Sequence, residues 1–398
     1  MIPALLLAFL TIPSDPRSVE LVESWPSGTS LDHADIRDAS DVWLEMIEAA
    51  RTSIDVAQFY VSDAPATDAI SHLGRVIEAI ERAAARGVKV RGLFDAKFHA
   101  TYPETIDRLG RVANVDTRLL DLKPVTGGVL HAKYFVVDGR VTFLGSHNFD
   151  WRSLEHIQEL GVRIDSAPVA RAFLDCFDLD WSIAAAEKRP TEASQSADAF
   201  PLRVGEGAES FSITPVYSPA ELAPDPRLWD LPRMTALIDG AKNTVRIQLM
   251  TYRMTSRDGD YFEVLENALR RAAARGVKVQ LLLADWCMRK GTIEGLQALE
   301  PLANVEVKLV TIPQSDLGFV PYARVAHAKY LAVDGRAAWI GTSNWERDYF
   351  HASRNVGLVI EGGALPRQLD AFFLDGWNGP YAKAVDPCAT YTPPRIGD

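Results

Sequence analysis

Two segments of this chain carry the same reactive side chains at the same spacing. Each holds a histidine, a lysine, an aspartate, a hydroxyl residue and an asparagine: His131, Lys133, Asp138, Ser146 and Asn148 in the first, and His327, Lys329, Asp334, Thr342 and Asn344 in the second. Four residues separate each lysine from its aspartate, and six separate that aspartate from a glycine. Hydrolysis of a phosphate diester needs hydrogen-bond donors or cations for the non-bridging oxygens, a nucleophile, and an acid for the leaving oxygen. Together the two segments supply these groups.

The repetition of the motif argues for chemistry rather than chance. A single His-x-Lys pair is usually only the polar end of a strand, but two copies with identical spacing make that interpretation weak. A metal site is disfavoured because each histidine lies beside a lysine, and a neighbouring cation lowers the affinity for Zn²⁺. The three cysteines form no C-x-x-C pair that could bind zinc. We therefore expect an enzyme that uses neither a metal nor another cofactor.

Strands that meet in a hairpin must position these side chains. The sequence HAKYFVVDGR at residues 131–140 has strand composition, and its Asp-Gly pair predicts a tight turn. Residues i and i+2 of a strand share a face, so each histidine and the lysine that follows it should point the same way. We expect Asp138 and Asp334 to hold the hairpin and the neighbouring lysine in place rather than to contact substrate.

The whole chain is a duplication. AAARGVKV occurs at residues 83–90 and 272–279, an offset of 189, whereas HAKY at 131–134 and 327–330 is offset by 196. About seven residues are therefore inserted in the second copy, mostly before His327. Strand composition alternates with amphipathic helices that end at glycine, which indicates α/β units with a mixed or parallel sheet.

This pattern predicts two homologous α/β domains that pack with pseudo-twofold symmetry, with one active site at their interface. The boundaries we expect are a candidate signal or N-terminal segment at residues 1–18, domains at 19–186 and 210–398, and a linker at 187–209 that is rich in Ser, Pro, Gly and charge.

Composition excludes several classes of protein. The chain has 398 residues, of which 47% are hydrophobic and 24% are charged, so it is globular rather than disordered, collagen-like or coiled-coil. Its 53 acidic residues exceed its 42 basic ones, giving a net charge of −11. A chain with a net negative charge is a poor non-specific binder of duplex nucleic acid, because the phosphate backbone favours positive charge. A locally basic cleft can still bind phosphates.

The apolar run at residues 2–12 is too short to span a bilayer and fits the apolar region of a signal peptide. No basic residue precedes it, and no clean A-x-A site follows it. Export to a secreted, periplasmic or luminal location is slightly favoured over a cytoplasmic one, and we expect no transmembrane helix in the mature chain.

The paired motif resembles that of the phospholipase D superfamily, H-x-K-x4-D-x6-G-S-x-N, which is normally present twice. The one departure is Thr342, which keeps the hydroxyl. NFDWRSL at 148–154, PYARVAHAKY at 321–330 and DGWNGPY at 375–381 resemble the lysosomal 5′-exonuclease branch, phospholipase D family members three and four. The resemblance implies digestion of single-stranded DNA or RNA from the 5′ end, without metal, to 3′-phosphorylated nucleotides. Hydrolysis or transphosphatidylation of glycerophospholipids is the alternative, and a non-enzymatic binding module is disfavoured because both motifs are complete.

The resemblance also implies roles for individual residues. Many superfamily members have an acidic residue that hydrogen-bonds the first histidine, and Glu159 lies at the matching spacing from His131, while the second copy has Asn355 there. We expect His131 to be the nucleophile, which forms a phosphohistidine, and His327 to be the acid. Cys287 and Cys388 lie where the branch carries cysteines, which implies a disulfide between them.

Aromatic residues close to the motifs are candidates for substrate binding. Tyr60 and Tyr252 end the first strands of the two copies, and Trp151 and Trp345 lie three residues and one residue after the motif asparagines. Such side chains can stack on unpaired bases, although core packing is at least an equal expectation for each. Trp286 is expected to be structural. The expected partners are single-stranded nucleic acid or phospholipid as substrate, with no stable protein partner; homodimer formation is left open.

Overall fold

The computed structural model describes residues 18–65, 70–187, 198–205, 210–256, 258–316 and 318–397. The strands of the first half are β1 Val19–Ser24, β2 Arg37–Asp38, β3 Ser53–Gln58, β4 Val61–Ser62, β5 Lys89–Asp95, β6 Val115–Leu120, β7 Tyr134–Val137, β8 Val141–Gly145, β9 Phe149–Asp150 and β10 Glu159–Asp165. The strands of the second half are β11 Leu202–Val204, β12 Phe211–Ser218, β13 Thr244–Leu249, β14 Lys278–Ala284, β15 Val305–Val310, β16 Tyr330–Val333, β17 Ala337–Gly341, β18 Asn355–Gly362 and β19 Ala382–Ala384.

The helices flank these strands in the same order in both halves. They are α1 Ala39–Ala49, α2 His72–Ala85, α3 Ala96–His99, α4 Glu104–Leu109, α5 Lys123–Thr126, α6 Trp151–Glu155, α7 Ala167–Ala184, α8 Asp230–Gly240, α9 Val264–Ala274, α10 Ile293–Leu299, α11 Arg347–His351 and α12 Leu365–Asn378. The predicted N-terminal segment lies outside the described residues, except for residue 18. The described part of the predicted linker includes β11, which pairs with β12 at the edge of the second sheet.

The two large sheets repeat one strand order. The first runs β2-β1-β10-β8-β7-β3-β5-β6, and the second runs β11-β12-β18-β17-β16-β13-β14-β15-β19. Strands β3, β5 and β6 are parallel, as are β13, β14 and β15, whereas the motif hairpins pair antiparallel within the same sheets. The prediction of a duplicated α/β unit with mixed sheets is therefore confirmed.

Local sequence explains the crossover helices. In α2, the Ser71 hydroxyl accepts a hydrogen bond from the Gly74 amide at 2.8 Å, as expected of an N-cap. The helix ends before Gly87, whose φ of +93° suits glycine, and Gly276 has φ +86° after the equivalent helix. The apolar residues of α2 recur at helical spacing and form its buried face. Each helix thus returns the chain to start the next parallel strand.

The apolar side chains divide into three layers. One cluster joins the outer face of the first sheet to α1 and α2, and another joins the outer face of the second sheet to α8 and α9. The third and largest cluster contains residues of both sheets together with α7 and α12. Because this shared core spans both halves, it fixes how the two motif hairpins face each other.

The hairpin turns are as predicted, but their aspartates have a different partner. Asp138 and Gly139 both have positive φ, at 53° and 61°, as do Asp334 and Gly335 at 54° and 60°, which is the geometry of a type I′ turn. The Asp138 carboxylate accepts hydrogen bonds from backbone amides of residues 51–53, and Asp334 does so from residues 242–244. These amides lie at the start of β3 and β13 and just before them. The aspartates therefore anchor the hairpins, as expected. The expectation that they also hold the lysines is wrong, because Lys133 and Lys329 donate to the carbonyls of His131 and His327 instead.

Candidate active site

Two reciprocal backbone contacts bring the motif histidines together. Leu130 forms a parallel bridge with Arg354 of the second half, and Ala326 forms one with Gln158 of the first. The His131 amide donates to the Arg354 carbonyl at 2.9 Å, and the His327 amide donates to the Gln158 carbonyl at 2.8 Å. Each histidine is thus held by the other half of the molecule.

The same contacts set the partner of the His131 ring. Its Nδ1 lies 3.0 Å from Oδ1 of Asn355. The Asn355 amide nitrogen donates to the carbonyls of Tyr349 and Ser353, so its oxygen must face the imidazole. His131 therefore carries its proton on Nδ1, and Nε2 is left with a free lone pair. Burial and the charges of Lys133 and Lys329 hold the pKa of His131 well below 6.5.

The His327 ring has a charged partner instead. Its Nδ1 lies 2.7 Å from Oε2 of Glu159, and the Ser153 hydroxyl donates to the other carboxylate oxygen at 2.9 Å. Burial opposes ionisation of Glu159, but the charge and hydrogen bond of His327 outweigh it and lower the pKa of Glu159 to about 2. Burial lowers the pKa of His327 below 6.5, while the Glu159 carboxylate opposes that shift.

The expected pairing of Glu159 with His131 is therefore wrong. Strand β10 carries Glu159 into contact with the second half, because the two halves meet around a pseudo-twofold axis and each contact across such an axis is reciprocal. Of the two imidazoles, the one beside Asn355 is the easier to keep neutral. The imidazole beside the Glu159 carboxylate is the easier to protonate.

Two buried lysines complete the polar centre. The Lys133 ammonium donates to the carbonyl of His131, and the Lys329 ammonium donates to the carbonyl of His327, both at 2.7 Å. Both side chains are 0% exposed. Burial lowers the pKa of Lys329 to about 7, and burial together with the Lys329 charge lowers the pKa of Lys133 well below 10.5. An anion between them would favour their charged forms.

The motif hydroxyls lie behind the site rather than in it. The Ser146 hydroxyl accepts from the Leu160 amide at 3.0 Å, and that of Thr342 accepts from the Val356 amide at 3.1 Å. Thr342 also donates to Oδ1 of Asn355 at 2.9 Å. These residues are fully buried and hold the strand segments that carry Glu159 and Asn355. They are therefore positioning residues. The expectation was instead that they offer hydrogen bonds to substrate.

The motif asparagines differ in their surroundings. Asn148 lines a cavity, and its Oδ1 is buried without a hydrogen-bond partner in the described part of the chain. Asn344 is fully buried, where its Oδ1 accepts from the Thr251 amide and its Nδ2 donates to the Tyr349 hydroxyl, both at 3.3 Å. In the present geometry, Asn148 is the asparagine available to a ligand.

Two cavities meet at His131, and the first of them also reaches His327. The first, which we call the aromatic arm, measures about 360 Å³ and contains both motif histidines among its lining residues: Phe59, Tyr60, Phe98, Thr101, Tyr102, His131, Asn148, Arg152, Ile157, Met250, Trp286, Tyr322, Val325, His327 and Tyr349. The Tyr60 hydroxyl donates to Asp150 at 2.7 Å, and Arg152 is ion-paired with the same carboxylate at 2.7 Å. This arm is therefore lined mainly by rings, and its one arginine is neutralised.

The second cavity, which we call the polar arm, measures about 400 Å³ and shares Phe59, Phe98, His131 and Tyr349 with the first. Its remaining lining residues are Lys97, Gly127, Gly128, Val129, Arg253, Thr255, Ser256, Glu346, Arg347, Asp348 and Ser353. Both arms lie beyond the carboxyl ends of the parallel strands, where open α/β sheets bind ligands.

Of the four predicted aromatic residues, Tyr60 lines the aromatic arm and the other three line neither arm. Tyr252 and Trp345 are fully buried and pack edge to face in the core of the second half. Trp151 packs on His156 at the edge of the first-half core. Trp286, expected to be structural, lines the aromatic arm together with Phe98, Tyr102 and Tyr322, which sequence reasoning missed.

The predicted disulfide is absent. Cys287 is fully buried and donates to the Met250 carbonyl at 3.3 Å, whereas Cys388 is exposed, and both are free thiols. The C-terminal segment is held in another way, because the Gln297 side chain donates to the carbonyls of Asp386 and Ala389. Cys176 is buried and free.

Among the residues that the structure describes, no group of three or more His, Cys, Asp or Glu side chains could hold a metal ion. None of the described helices is long and apolar enough to cross a membrane.

Comparison with known proteins identifies the family. The profile described as "Cardiolipin synthase, PLD-like domain" matches residues 43–181 and 234–377, once in each half. The bovine 5′-3′ exonuclease PLD3 is 32% identical over 94% of this chain and 82% of its own length. Phospholipase D Z of Dictyostelium discoideum is 29% identical over 92% of this chain and 91% of its own.

A solved structure shows the same fold. Phosphatidylserine synthase from Haemophilus influenzae superposes with a TM-score of 0.64 at 14% identity, over 94% of this chain and 89% of its own. The doubled His-Lys-Asp motif, the duplicated sheets and the two profile matches agree. The chain belongs to the phospholipase D superfamily and is a phosphodiesterase of that superfamily.

Proposed function

We propose that this protein is a metal-independent exonuclease that digests single-stranded DNA or RNA from the 5′ end to 3′-phosphorylated nucleotides. The observation that carries the proposal is the aromatic arm, in which rings surround the two motif histidines. Unpaired bases stack on such rings, whereas bases in a duplex are already stacked on one another. The similarity to proteins named as 5′-3′ exonucleases, over most of the chain, supports exonuclease activity in that direction.

The first chemical step assigns the two histidines different roles. Nε2 of His131 attacks phosphorus, and the bond from phosphorus to the 5′ oxygen of the next nucleotide breaks. The Nε2 proton of His327 goes to that leaving oxygen, so the product is a free 5′ hydroxyl and a phosphohistidine at His131. The neutral tautomer that Asn355 imposes on His131 suits the nucleophile, and the Glu159 carboxylate suits a protonated acid.

The second step reverses the proton transfer. His327, now neutral, takes a proton from a water molecule whose oxygen attacks phosphorus. The bond from phosphorus to Nε2 of His131 then breaks, releasing a 3′-phosphate and the neutral imidazole. Lys133 and Lys329 hold the non-bridging oxygens throughout, with Asn148 as the neutral donor, so that negative charge develops against fixed cations.

The test offers the purified protein a 5′-labelled single-stranded oligonucleotide, its duplex, a circular single strand and a labelled phospholipid, all in excess EDTA. We expect the linear single strand alone to be degraded rapidly, to mononucleotides with a 3′-phosphate. Equal cleavage of the circle would make the enzyme an endonuclease, and activity that requires added Mg²⁺ or Zn²⁺ would exclude this mechanism.

Glycerophospholipid hydrolysis is the second candidate, and the similarity to a phospholipase D over nearly the full length of both chains favours it. The same two histidines would act, with the acyl chains or headgroup in the ring-lined arm. Rapid turnover of the phospholipid, with the oligonucleotide untouched, would establish this alternative in place of the exonuclease.

A further inference from the structure

The two arms of the site are related by the pseudo-twofold symmetry, yet they differ in charge. The lining residues Val325 and His327 of the aromatic arm are equivalent to Val129 and His131 of the polar arm, at the motif offset of 196. Ile157 of the aromatic arm is likewise equivalent to Ser353 of the polar arm. A symmetric duplication would give two equal arms, so their difference arises from substitutions made after it.

Three equivalent positions carry that difference. The polar arm has cations at Lys97, Arg253 and Arg347. The strand register and the motif offset place neutral residues at the equivalent positions of the other half, namely Trp286, Ser62 and Trp151 respectively. The polar arm also contains the carboxylates of Glu346 and Asp348, so its net formal charge is positive by one. The positions equivalent to these two carboxylates are Asp150 and Arg152, which form an ion pair without net charge beside the aromatic arm.

Arg253 is the cation best placed to bind a ligand. It is half-buried, and its Nε is buried with no hydrogen-bond partner, while its guanidinium forms no ion pair with any residue that the structure describes. A buried guanidinium nitrogen without a partner is costly, and native structures usually satisfy such groups. The Glu346 carboxylate in the same arm accepts a hydrogen bond from the Thr251 hydroxyl at 2.8 Å and forms no ion pair with Arg253.

We infer that the polar arm is a second phosphate subsite, in which Arg253, assisted by Lys97 and Arg347, binds the phosphodiester next to the one being cleaved. This inference rests on the proposed nuclease function and makes it more specific. Substrates with two consecutive phosphodiesters occupy both the histidine centre and the polar arm. A substrate with a single phosphodiester leaves the polar arm empty. Guanidinium suits this task because its planar fork of donors matches two phosphate oxygens.

The experiment compares thymidylyl-thymidine, which has one phosphodiester, with the trinucleotide, which has two. The wild-type protein is expected to have kcat/KM for the trinucleotide about 10-fold to 100-fold above that for the dinucleotide, as one charged hydrogen-bonded contact allows. In R253Q this preference should fall towards unity. The matched control is R203Q, the same loss of charge at an exposed arginine on edge strand β11, which should keep the preference.

Binding provides a second measurement that does not need turnover. Dissociation constants of the same two compounds are measured for H131N and for H131N combined with R253Q, at two salt concentrations. The trinucleotide should bind H131N more tightly and with a steeper salt dependence than the dinucleotide, because a second phosphate contact releases further counterions. Both differences should disappear in the double variant.

The outcomes separate the two proposals. Wild-type protein that cleaves both compounds with equal kcat/KM, or R253Q that keeps the preference as R203Q does, would overturn the second subsite and leave the nuclease function standing. Wild-type protein that neither binds nor cleaves either compound would overturn the proposed nuclease function and this inference with it.

Discussion

Replacing Glu159 by glutamine should move the alkaline side of the pH–rate profile and leave the acid side in place. The carboxylate lies 2.7 Å from Nδ1 of His327 and is fully buried, so it stabilises the imidazolium through one charge-assisted hydrogen bond. Such a bond contributes about 1.5–3 kcal/mol. Since one pKa unit corresponds to about 1.4 kcal/mol, the pKa of His327 should fall by about one to two units.

The direction in which the alkaline limb moves follows from the protonation state that each histidine needs. In the proposed mechanism, the free enzyme is active when His131 is neutral and His327 is protonated, and kcat/KM reports the free enzyme. Activity is lost as the pH rises through the higher pKa of the coupled pair, which His327 dominates because only it has a carboxylate partner. Lowering that pKa moves the alkaline limb to lower pH by about one to two units.

The assay is kcat/KM against pH for the oligonucleotide, whose alkoxide leaving group needs an acid. The converse variant N355D is the matched control. It places a carboxylate beside His131, raises the pKa of that imidazole, and should move the acid limb to higher pH while leaving the alkaline limb in place. Circular dichroism and melting temperature check that both variants fold. An acid limb that moves in E159Q, or a profile that does not move at all, would refute the assigned pairing.

Further predictions concern the covalent intermediate, the core and the thiols. Acid quenching during turnover should trap phosphate on His131, and mass spectrometry that finds it on His327 would reverse their roles. D180N should lower the free energy of unfolding in urea by about 3–5 kcal/mol, because it leaves the fully buried Arg354 guanidinium without its ionic partner; replacing both residues by apolar ones should restore most of that loss. Iodoacetamide should label Cys388 in the native protein and Cys287 only after denaturation, because burial raises the pKa of the latter to about 12; a native Cys388 that resists labelling until a reductant is added would show that the disulfide forms after all.

The motif and the fold follow from features that lie close together in sequence. The hairpin turns follow from the Asp-Gly dipeptides, and the shared face of each His-x-Lys pair follows from the two-residue period of a strand. The duplicated sheets follow from the sequence repeat. The predicted amphipathic helices that end at glycine are α2 and α9, which end just before Gly87 and Gly276. Local geometry is encoded locally, so these expectations held.

The partners of the histidines depend on how the halves meet. Nothing in the first half alone indicates that Glu159 reaches past its own histidine to His327. The missing signal was the reciprocity of contacts across a twofold axis, which would have paired each acidic or amide position with the other copy's imidazole. Given that rule, the pairing could have been predicted from the motif spacing.

Tyr252 became a candidate for substrate binding through a register error of one residue. Val61 pairs with Phe149 in the first half, and Tyr252 pairs with Trp345 in the second. Because Phe149 and Trp345 are equivalent at the motif offset, Tyr252 is equivalent to Val61. The true counterpart of Tyr60 is Thr251, and both hydroxyls donate to the equivalent carboxylates, those of Asp150 and Glu346. Because neighbouring strand residues point to opposite faces, a slip of one moved Tyr252 from the cleft into the core.

In the proposed mechanism, the charges of the site explain how a duplicated, nominally symmetric centre can act on an anionic substrate. Lys133 and Lys329 are fully buried, and their pKa values are lowered, that of Lys329 to about 7, so the empty site resists holding two ammonium charges. The Glu159 carboxylate, with its pKa lowered to about 2, stays ionised and compensates one positive charge. A bound phosphodiester supplies the second negative charge and favours the protonated lysines that stabilise the transition state. A second carboxylate at position 355 would neutralise the centre before substrate arrived, and would raise the pKa of the imidazole that must remain a free nucleophile. One carboxylate and one amide therefore separate the acid from the nucleophile and leave a net positive charge for the substrate.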